Sequence, residues 1–74
     1  MIDNRLLELI SRYLKVNPSK ISSDTKLKDI GAQDWQIIEM AMEFEPIFKI
    51  NMDADKALSL EKVKDWEELI NNRL

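Results

Sequence analysis

The side chains best suited to chemistry in this 74-residue chain are carboxylates, and they cluster in its middle third. Residues 29–55 contain seven acidic residues and one basic residue, a net charge of -6, whereas the whole chain carries -3. Residues 1–28 hold six basic and three acidic side chains, a net charge of +3. An acidic block favours a basic protein partner and disfavours nucleic acid, although a merely solvated helix face has the same composition.

Catalysis and metal binding are both poorly supported by the residue types present. The chain has no histidine and no cysteine, which removes the commonest general base, the commonest metal ligands and all disulfides. The serines have no neighbouring base to activate them, so we expect a protein that is not an enzyme. Residues 51–55, Asn-Met-Asp-Ala-Asp, look like the start of a calcium loop. Its sixth and twelfth positions are Lys56 and Lys62, where that loop needs glycine and glutamate, so we expect no metal and interpret these acids as helix caps.

The spacing of apolar residues predicts helices throughout. A first helix from Asp3 to Lys15, with Asp3 as its N-cap, would bury a stripe of residues at helical spacing: Ile2, Leu6, Leu9, Tyr13 and Val16. A second helix would begin at Asp34 as its N-cap and run toward Phe48, and the carboxylates Glu39, Glu43 and Glu45 fall within it. A short element would span residues 54–58, and a last helix would open at Ser59 as its N-cap.

Two residues in this pattern are expected to have special backbone roles. Gly31 is the only glycine, so we expect it to adopt a positive φ in the long connection from Val16 to Gln33. Pro46 should kink the second helix or end it early, because proline removes a helical hydrogen bond. The prediction is an all-α fold, a small four-helix bundle with three main helices, one short helix and a long first loop, in a single domain of residues 1–74.

The connection between the first two helices carries a pattern that extends into the second helix. The residues in register with Asp-Thr-x-Leu-x-Asp-Leu-Gly-Ala-Asp-Ser-Leu are Asp24, Thr25, Leu27, Asp29, Ile30, Gly31 and Ala32. This stretch resembles the acyl carrier proteins of fatty-acid and polyketide synthesis. The resemblance covers nearly the whole chain, since Glu39-Met40 and Phe48 match the family's second helix and residues 59–70 its last helix. It implies the four-helix carrier fold, a 4′-phosphopantetheine prosthetic group, and partner enzymes such as synthases and acyl or phosphopantetheinyl transferases.

The centre of the pattern departs from the family. Acyl carrier proteins attach the prosthetic arm to the serine of Asp-Ser-Leu, and the aligned residues here are Gln33-Asp34-Trp35, so Asp34 stands at the serine position. A shift of one residue would place Trp35 there, and neither residue has a hydroxyl group. A carboxylate that attacked coenzyme A would form a labile mixed anhydride rather than a stable phosphodiester. The resemblance therefore implies a carrier-shaped protein without the arm at its usual position, and so without a cofactor.

The remaining expectation is docking: the acidic second helix would meet a basic surface on a partner enzyme, with apolar contact from Ile37, Met40 or Met42. The expected docking residues are Asp34, Trp35, Ile37, Glu39, Met40, Glu43 and Glu45. Trp35 has two interpretations, because together with Phe44, Phe48 and Trp66 it could fill the cleft that carriers keep for an acyl chain or could pack in an ordinary aromatic core.

Two alternatives for function stay open, namely a true carrier whose attachment serine was deliberately replaced by Asp34, and a structural subunit of a larger assembly. The polar first residues and the lack of a long apolar run predict no signal peptide and no membrane span. We therefore expect a cytoplasmic monomer that binds neither membrane nor nucleic acid.

Overall fold

The computed structural model describes residues 3–71, in which every regular element is helical. The four α-helices are α1, Asn4–Leu14; α2, Asp34–Phe48; α3, Ala54–Ser59; and α4, Val63–Asn71. Two short 3-10 helices, Pro18–Lys20 and Leu27–Ile30, lie in the connection between α1 and α2. The described residues form no β-strand, so the predicted small four-helix bundle with three longer helices and one short helix is confirmed. Ile2, which the sequence placed in the first apolar stripe, lies outside the described residues.

Three of the local predictions are confirmed at the ends of helices. Asp3 caps α1, since its carboxylate accepts hydrogen bonds from the backbone N–H groups of Arg5 at 2.8 Å and Leu6 at 3.4 Å. Asp53 caps α3 by accepting a 2.8 Å hydrogen bond from the N–H of Lys56. Gly31 has φ = +95° directly after the second 3-10 helix, a conformation that costs glycine little.

The predicted caps of α2 and α4 are wrong. α2 does begin at Asp34, but its N-cap is Gln33, whose N–H donates to Oε1 of Gln36 at 2.9 Å. The side chain of Gln36, in the first turn, thus provides an acceptor for the backbone N–H of Gln33. Asp34 is then the first residue of the helix and not its cap. Ser59 ends α3 instead of opening α4, and its hydroxyl donates to the carbonyl of Lys56 at 2.6 Å.

The delayed start of α4 has a long-range cause, because the residues before it pair with the long connection. The N–H of Leu27 donates to the carbonyl of Glu61 at 3.0 Å, and the N–H of Val63 donates to the carbonyl of Thr25 at 3.0 Å. These bonds require extended backbone ahead of Val63, so the helix cannot begin at Ser59.

The early end that Pro46 was expected to cause does not occur. α2 continues through Phe48 and closes at Lys49, whose φ of 54° is left-handed. Phe44 and Phe48 are buried on either side of the proline, and their rings pack edge to face with centroids 5.7 Å apart. We attribute the continuation to this packing, since keeping Phe48 in the core offsets the helical hydrogen bond that proline removes.

One apolar core joins the four helices and the long connection. Phe44 lies at its centre, edge-on to Trp66 at a centroid distance of 5.4 Å. The connection is tied to α4 by the Ser23 hydroxyl, which donates a 2.7 Å hydrogen bond to the buried carboxylate of Glu67. The core comprises Leu6, Ile10, Ile21, Leu27, Ala32, Ile37, Met40, Ala41, Phe44, Phe48, Ile50, Ala57, Leu60, Val63, Trp66 and Ile70. Within residues 3–71, none of the helices combines the length and the apolar composition that crossing a bilayer requires.

Candidate partner-docking site

Asp34 lies at the exposed N-terminus of α2, where a carboxylate stabilises the positive end of the helix. Its Oδ1 forms an ion pair with Nζ of Lys28 at 3.1 Å, which the sequence did not predict. The two side chains are 61% and 69% exposed, so the pair contributes only about 0–1 kcal/mol. Lys28 therefore compensates the charge of Asp34 only through a weak, exposed ion pair.

The three glutamates predicted to dock have different surroundings. Glu43 is exposed and forms no hydrogen bond or ion pair with any residue in the described part of the chain. Glu45 is half-buried and accepts a 3.3 Å hydrogen bond from the N–H of Met52, so it also holds the connection that follows α2. Glu39 is exposed but accepts a short hydrogen bond of 2.6 Å from the hydroxyl of Tyr13 on α1.

The Tyr13 phenol shows the electrostatic character of this surface. Its partial burial, the hydrogen bond to Glu39 and the negative charges of Glu39 and Glu43 together raise the pKa of Tyr13 from 10.0 to about 12. Each cause disfavours a phenolate, so Tyr13 stays protonated and keeps donating to Glu39 well above neutral pH. The hydrogen bond fixes one carboxylate of the acidic helix relative to α1.

Two of the apolar residues predicted to contact a partner are buried in the core. Ile37 and Met40 are 4% and 0% exposed, which removes both from any docking surface. They point into the core because the buried side of α2 also carries Phe44, and residues three to four apart share a helix face. The large apolar side chains that do reach the surface are Trp35, Met42 and Ile47, at 56%, 63% and 43% exposure.

Both interpretations of Trp35 are also wrong. With more than half of its surface exposed, Trp35 neither packs in the aromatic core nor fills an internal cleft. Its indole Nε1–H donates to Oε1 of Gln33 at 3.1 Å, outside the core. Phe44 and Trp66 are completely buried and Phe48 nearly so, as ordinary core packing predicts for those three residues.

A small pocket lies beside the first turns of α2 and has an apolar floor. Its volume is about 70 Å³, well below the roughly 150 Å³ of an engineered cavity that binds benzene, so this pocket cannot hold a long acyl chain in this conformation. It is lined by Lys26, Leu27, Lys28, Ile37, Leu58, Leu60 and Glu61. Across residues 3–71, no group of three or more carboxylates is arranged to hold a metal ion.

Hydroxyl groups are missing from the part of the chain where an arm would be attached. Residues 31–58 contain no serine, threonine or tyrosine, so none lies on α2 or at its N-terminus. The hydroxyls of four of the five serines form hydrogen bonds elsewhere in the fold: Ser11 to Val16, Ser22 with Thr25, Ser23 to Glu67 and Ser59 to Lys56. The fifth, Ser19, lies in the first 3-10 helix.

The four helices follow one another in this order, and a long connection, held to α4 by hydrogen bonds, leads into an acidic second helix. This is the architecture of a small carrier domain. The family described as "Phosphopantetheine attachment site" matches residues 4–70. Three similar proteins are acyl carrier proteins. That of Amoebophilus asiaticus (strain 5a2) is 31% identical over 74 residues, covering 99% of this chain and 92% of the relative. That of Trieres chinensis is 34% identical over 68 residues, with 90% and 85% covered, and that of Cylindrotheca sp. (strain N1) is 32% identical over 71 residues, with 95% and 89% covered.

The chain therefore belongs to the acyl carrier protein family, as the pattern in its long connection indicated. Members of this family serve biosynthesis as carriers that interact with partner enzymes and have no catalytic activity of their own. A 4′-phosphopantetheine group is expected for the family.

Proposed function

We propose that this protein is a docking member of the acyl carrier family that carries no 4′-phosphopantetheine at the usual position. It would bind carrier-dependent enzymes of fatty-acid or polyketide-type synthesis through the acidic surface of α2. The observation that carries the proposal is Asp34, a carboxylate on the first residue of α2 where the family pattern has its serine. We further propose that it acts in the cytoplasm as a monomeric domain of residues 1–74.

The chemistry of the residues present does not fit the prosthetic group. Formation of the phosphodiester needs a side-chain hydroxyl group whose oxygen attacks the phosphate, and residues 31–58 contain no such hydroxyl group. The carboxylate of Asp34 would give a mixed anhydride, which water hydrolyses. The other serine hydroxyls are largely occupied by hydrogen bonds that hold the long connection and the helix ends, so they are poor substitutes.

The charges of α2 support docking on a basic surface. Between Asp34 and Phe48 the helix contains four carboxylates and no lysine or arginine. Glu43 is exposed without a partner among the described residues, while Lys28 neutralises Asp34 only through a weak exposed pair. Complementary charge of this kind accelerates association and selects the partner more than it raises affinity.

A competition assay tests the docking. A phosphopantetheinyl transferase loads the acyl carrier protein of Amoebophilus asiaticus with an arm from coenzyme A, and the rate is measured with increasing amounts of the present chain. We expect the chain to slow loading by competing for the transferase. The double charge reversal Glu39→Lys with Glu43→Lys should raise the concentration of the chain that is needed to slow loading by about tenfold or more. The reason is that the new lysines on α2 then face basic side chains of the transferase.

The matched control reverses Glu8 and Glu68 to lysine. Both are exposed carboxylates away from α2, on α1 and α4, and each pair of reversals changes the net charge from -3 to +1. If both double variants compete as well as the wild type, or both lose competition equally, docking through α2 is wrong.

Two other functions remain to be separated from this one. A true carrier whose serine was replaced must accept the arm again in the Asp34→Ser variant, so an unchanged mass of this variant after incubation with the transferase and coenzyme A would exclude that alternative. A structural subunit would bind through the exposed Trp35 and Met42 without regard to charge, so size measurement in a mixture with the transferase would show a complex that the reversal of Glu39 and Glu43 leaves intact.

A further inference from the structure

A surface on α1 combines basic and apolar side chains and has no part in the docking proposed for α2. Arg5 and Arg12 are exposed and seven residues apart, so they lie within about 20° of each other around α1 and about 10.5 Å apart along its axis. The half-buried Leu9 lies between them, and Ile47 from the end of α2 lies beside them. With Glu8 these residues line a depression of about 200 Å³, which we name the α1 pocket.

The two arginines at the ends of the pocket are suited to bind carboxylates. The guanidinium carbon of Arg5 lies 5.1 Å from the centre of the Phe48 ring, a cation–π contact that orients the group while its N–H donors remain at its edge. Its ion pair with Asp3 is long, at 3.8 Å, and exposed, so it is weak. Arg12 forms no hydrogen bond or ion pair with any residue of the described range 3–71. Both guanidinium groups are therefore available to accept a carboxylate, which arginine binds through two parallel hydrogen bonds.

The floor of the α1 pocket is apolar and is formed by Leu9 and Ile47. Ile47 is 43% exposed and lies twelve residues after Trp35, about 120° around α2, so it belongs to a different face from Trp35 and Met42. The volume of the pocket exceeds the roughly 150 Å³ of an engineered cavity that binds benzene. One apolar side chain of the size of leucine therefore fits between the two arginines.

The charges around the pocket indicate what occupies it. A protein segment that has carboxylates on both sides of an apolar residue complements the two arginines and the floor. An anionic membrane surface also attracts arginine, but Glu8 lies between the arginines and the whole chain carries -3, so a continuous negative surface is repelled. A discrete acidic segment can avoid Glu8, and we therefore favour an acidic protein.

We infer that the α1 pocket is a second binding surface, which takes an acidic amphipathic helix of another protein. One apolar side chain of that helix enters the pocket, and two of its carboxylates, about two turns apart, pair with Arg5 and Arg12. The inference goes beyond the proposed function, because the two surfaces have opposite charge and lie on different helices. With both surfaces occupied, the chain joins a basic enzyme to an acidic partner.

The test is a titration of a synthetic helical peptide with the full chain, followed by fluorescence anisotropy of a label on the peptide. The probe has about 20 residues, with two glutamates seven positions apart and a leucine between them, on the same face. We expect Arg5→Glu with Arg12→Glu to weaken binding about tenfold or more. The matched control is Lys20→Glu with Lys56→Glu, at exposed lysines elsewhere, which should leave affinity nearly unchanged. Each pair replaces two positive charges with two negative ones and changes the net charge from -3 to -7.

Single substitutions keep the test valid if the double variant of the arginines does not fold, which circular dichroism detects. Ile47→Ala should weaken binding about fivefold because it removes part of the apolar floor, whereas Met42→Ala, on another face of α2, should not. Arg12→Glu alters a side chain that holds no other described residue, so it should weaken binding without loss of structure. Glu8→Gln should strengthen binding because it removes a like charge beside the peptide.

Four outcomes would overturn the inference. The first is a peptide that does not bind, and the second is an equal loss of affinity in the arginine and lysine double variants, which would show an effect of net charge alone. The third is a chain that binds vesicles of phosphatidylglycerol through Arg5 and Arg12 but not the peptide, since a membrane would then be the partner. The fourth is self-association of the chain, seen by sedimentation, that reversal of Arg5 and Arg12 abolishes, since a second copy would then cover the pocket.

The acidic surface of α2 is tested separately. Reversal of Glu39 and Glu43 should not weaken binding of the peptide, whereas reversal of Arg5 and Arg12 should not weaken competition for the transferase. Failure of either surface thus leaves the result for the other intact.

Discussion

The hydrogen bond between Tyr13 and Glu39 gives a sharp test of how α1 and α2 are held together. The hydroxyl donates to an ionised carboxylate over 2.6 Å, and the residues are 26 positions apart in the sequence. Hydrogen bonds to charged groups contribute about 1.5–3 kcal/mol, and solvent screening at this surface site reduces the value to about 1 kcal/mol. Tyr13→Phe deletes only the hydroxyl, so we expect it to lower the free energy of unfolding by this amount near neutral pH.

The contribution should also depend on pH in a defined direction. The pKa of Tyr13 is raised to about 12 in the folded protein from 10.0, so the folded state binds the phenolic proton more tightly than the unfolded state does. The stabilisation is therefore complete below pH 10 and is lost as the pH rises from 10 toward 12. The difference in unfolding free energy between wild type and Tyr13→Phe isolates this effect, because the two proteins differ only in the phenolic hydroxyl.

Urea unfolding followed by circular dichroism measures these quantities. A double-mutant cycle with Glu39→Ala should give a coupling energy of about 1 kcal/mol at pH 7. Additive single mutants, within about 0.3 kcal/mol, would refute the hydrogen bond as a stabilising contact. A difference between wild type and Tyr13→Phe that is unchanged from pH 9 to pH 11.5 would refute the assigned causes of the pKa shift.

Two further changes test the fold on either side of Asp34. Met40→Ala should destabilise the protein by about 2–5 kcal/mol because Met40 is fully buried, whereas Met42→Ala, 63% exposed, should change stability by less than about 0.5 kcal/mol. Equal losses in urea unfolding would show that the faces of α2 are assigned incorrectly. Gly31→Ala should cost about 1–2 kcal/mol from its left-handed backbone alone, since nothing lies within 4 Å of an added Cβ. Gly31→Asn should recover part of that loss, and an unchanged melting temperature for Gly31→Ala would contradict the assigned backbone conformation.

The sequence predicts those features of this fold that depend on local chemistry. Asp3 and Asp53 are aspartates directly before amphipathic or short helical segments, and both cap them. Gly31 is the single residue without a Cβ, and it occupies the left-handed position. The long connection also carries enough of the family pattern to identify the carrier fold.

The faces of α2 could not be predicted because the helix is apolar around most of its circumference. Residues 40 and 42 are both methionine, so the apolar periodicity alone does not show which of the two faces the core. The sequence was compatible with Trp35 in the aromatic core, in an acyl cleft or on the surface of the second helix, and the structure shows that its side chain is 56% exposed.

Contacts between segments that are distant in the chain could not be predicted from the sequence either. The pairs Tyr13–Glu39 and Lys28–Asp34 join side chains whose proximity depends on how the helices pack and how the long connection folds. Ser59 could serve either end of a helix, and only the bonds between the long connection and the segment before α4 decide that it ends α3.

The central claim is that a carrier fold here lacks attachment of the arm at Asp34, and the mass of the intact protein tests this most directly. The chain and the acyl carrier protein of Amoebophilus asiaticus are incubated in one vessel with a phosphopantetheinyl transferase and coenzyme A. We predict that the acyl carrier protein gains the mass of one arm while the mass of the present chain stays unchanged. A gain of one arm by the wild-type chain would contradict the claim.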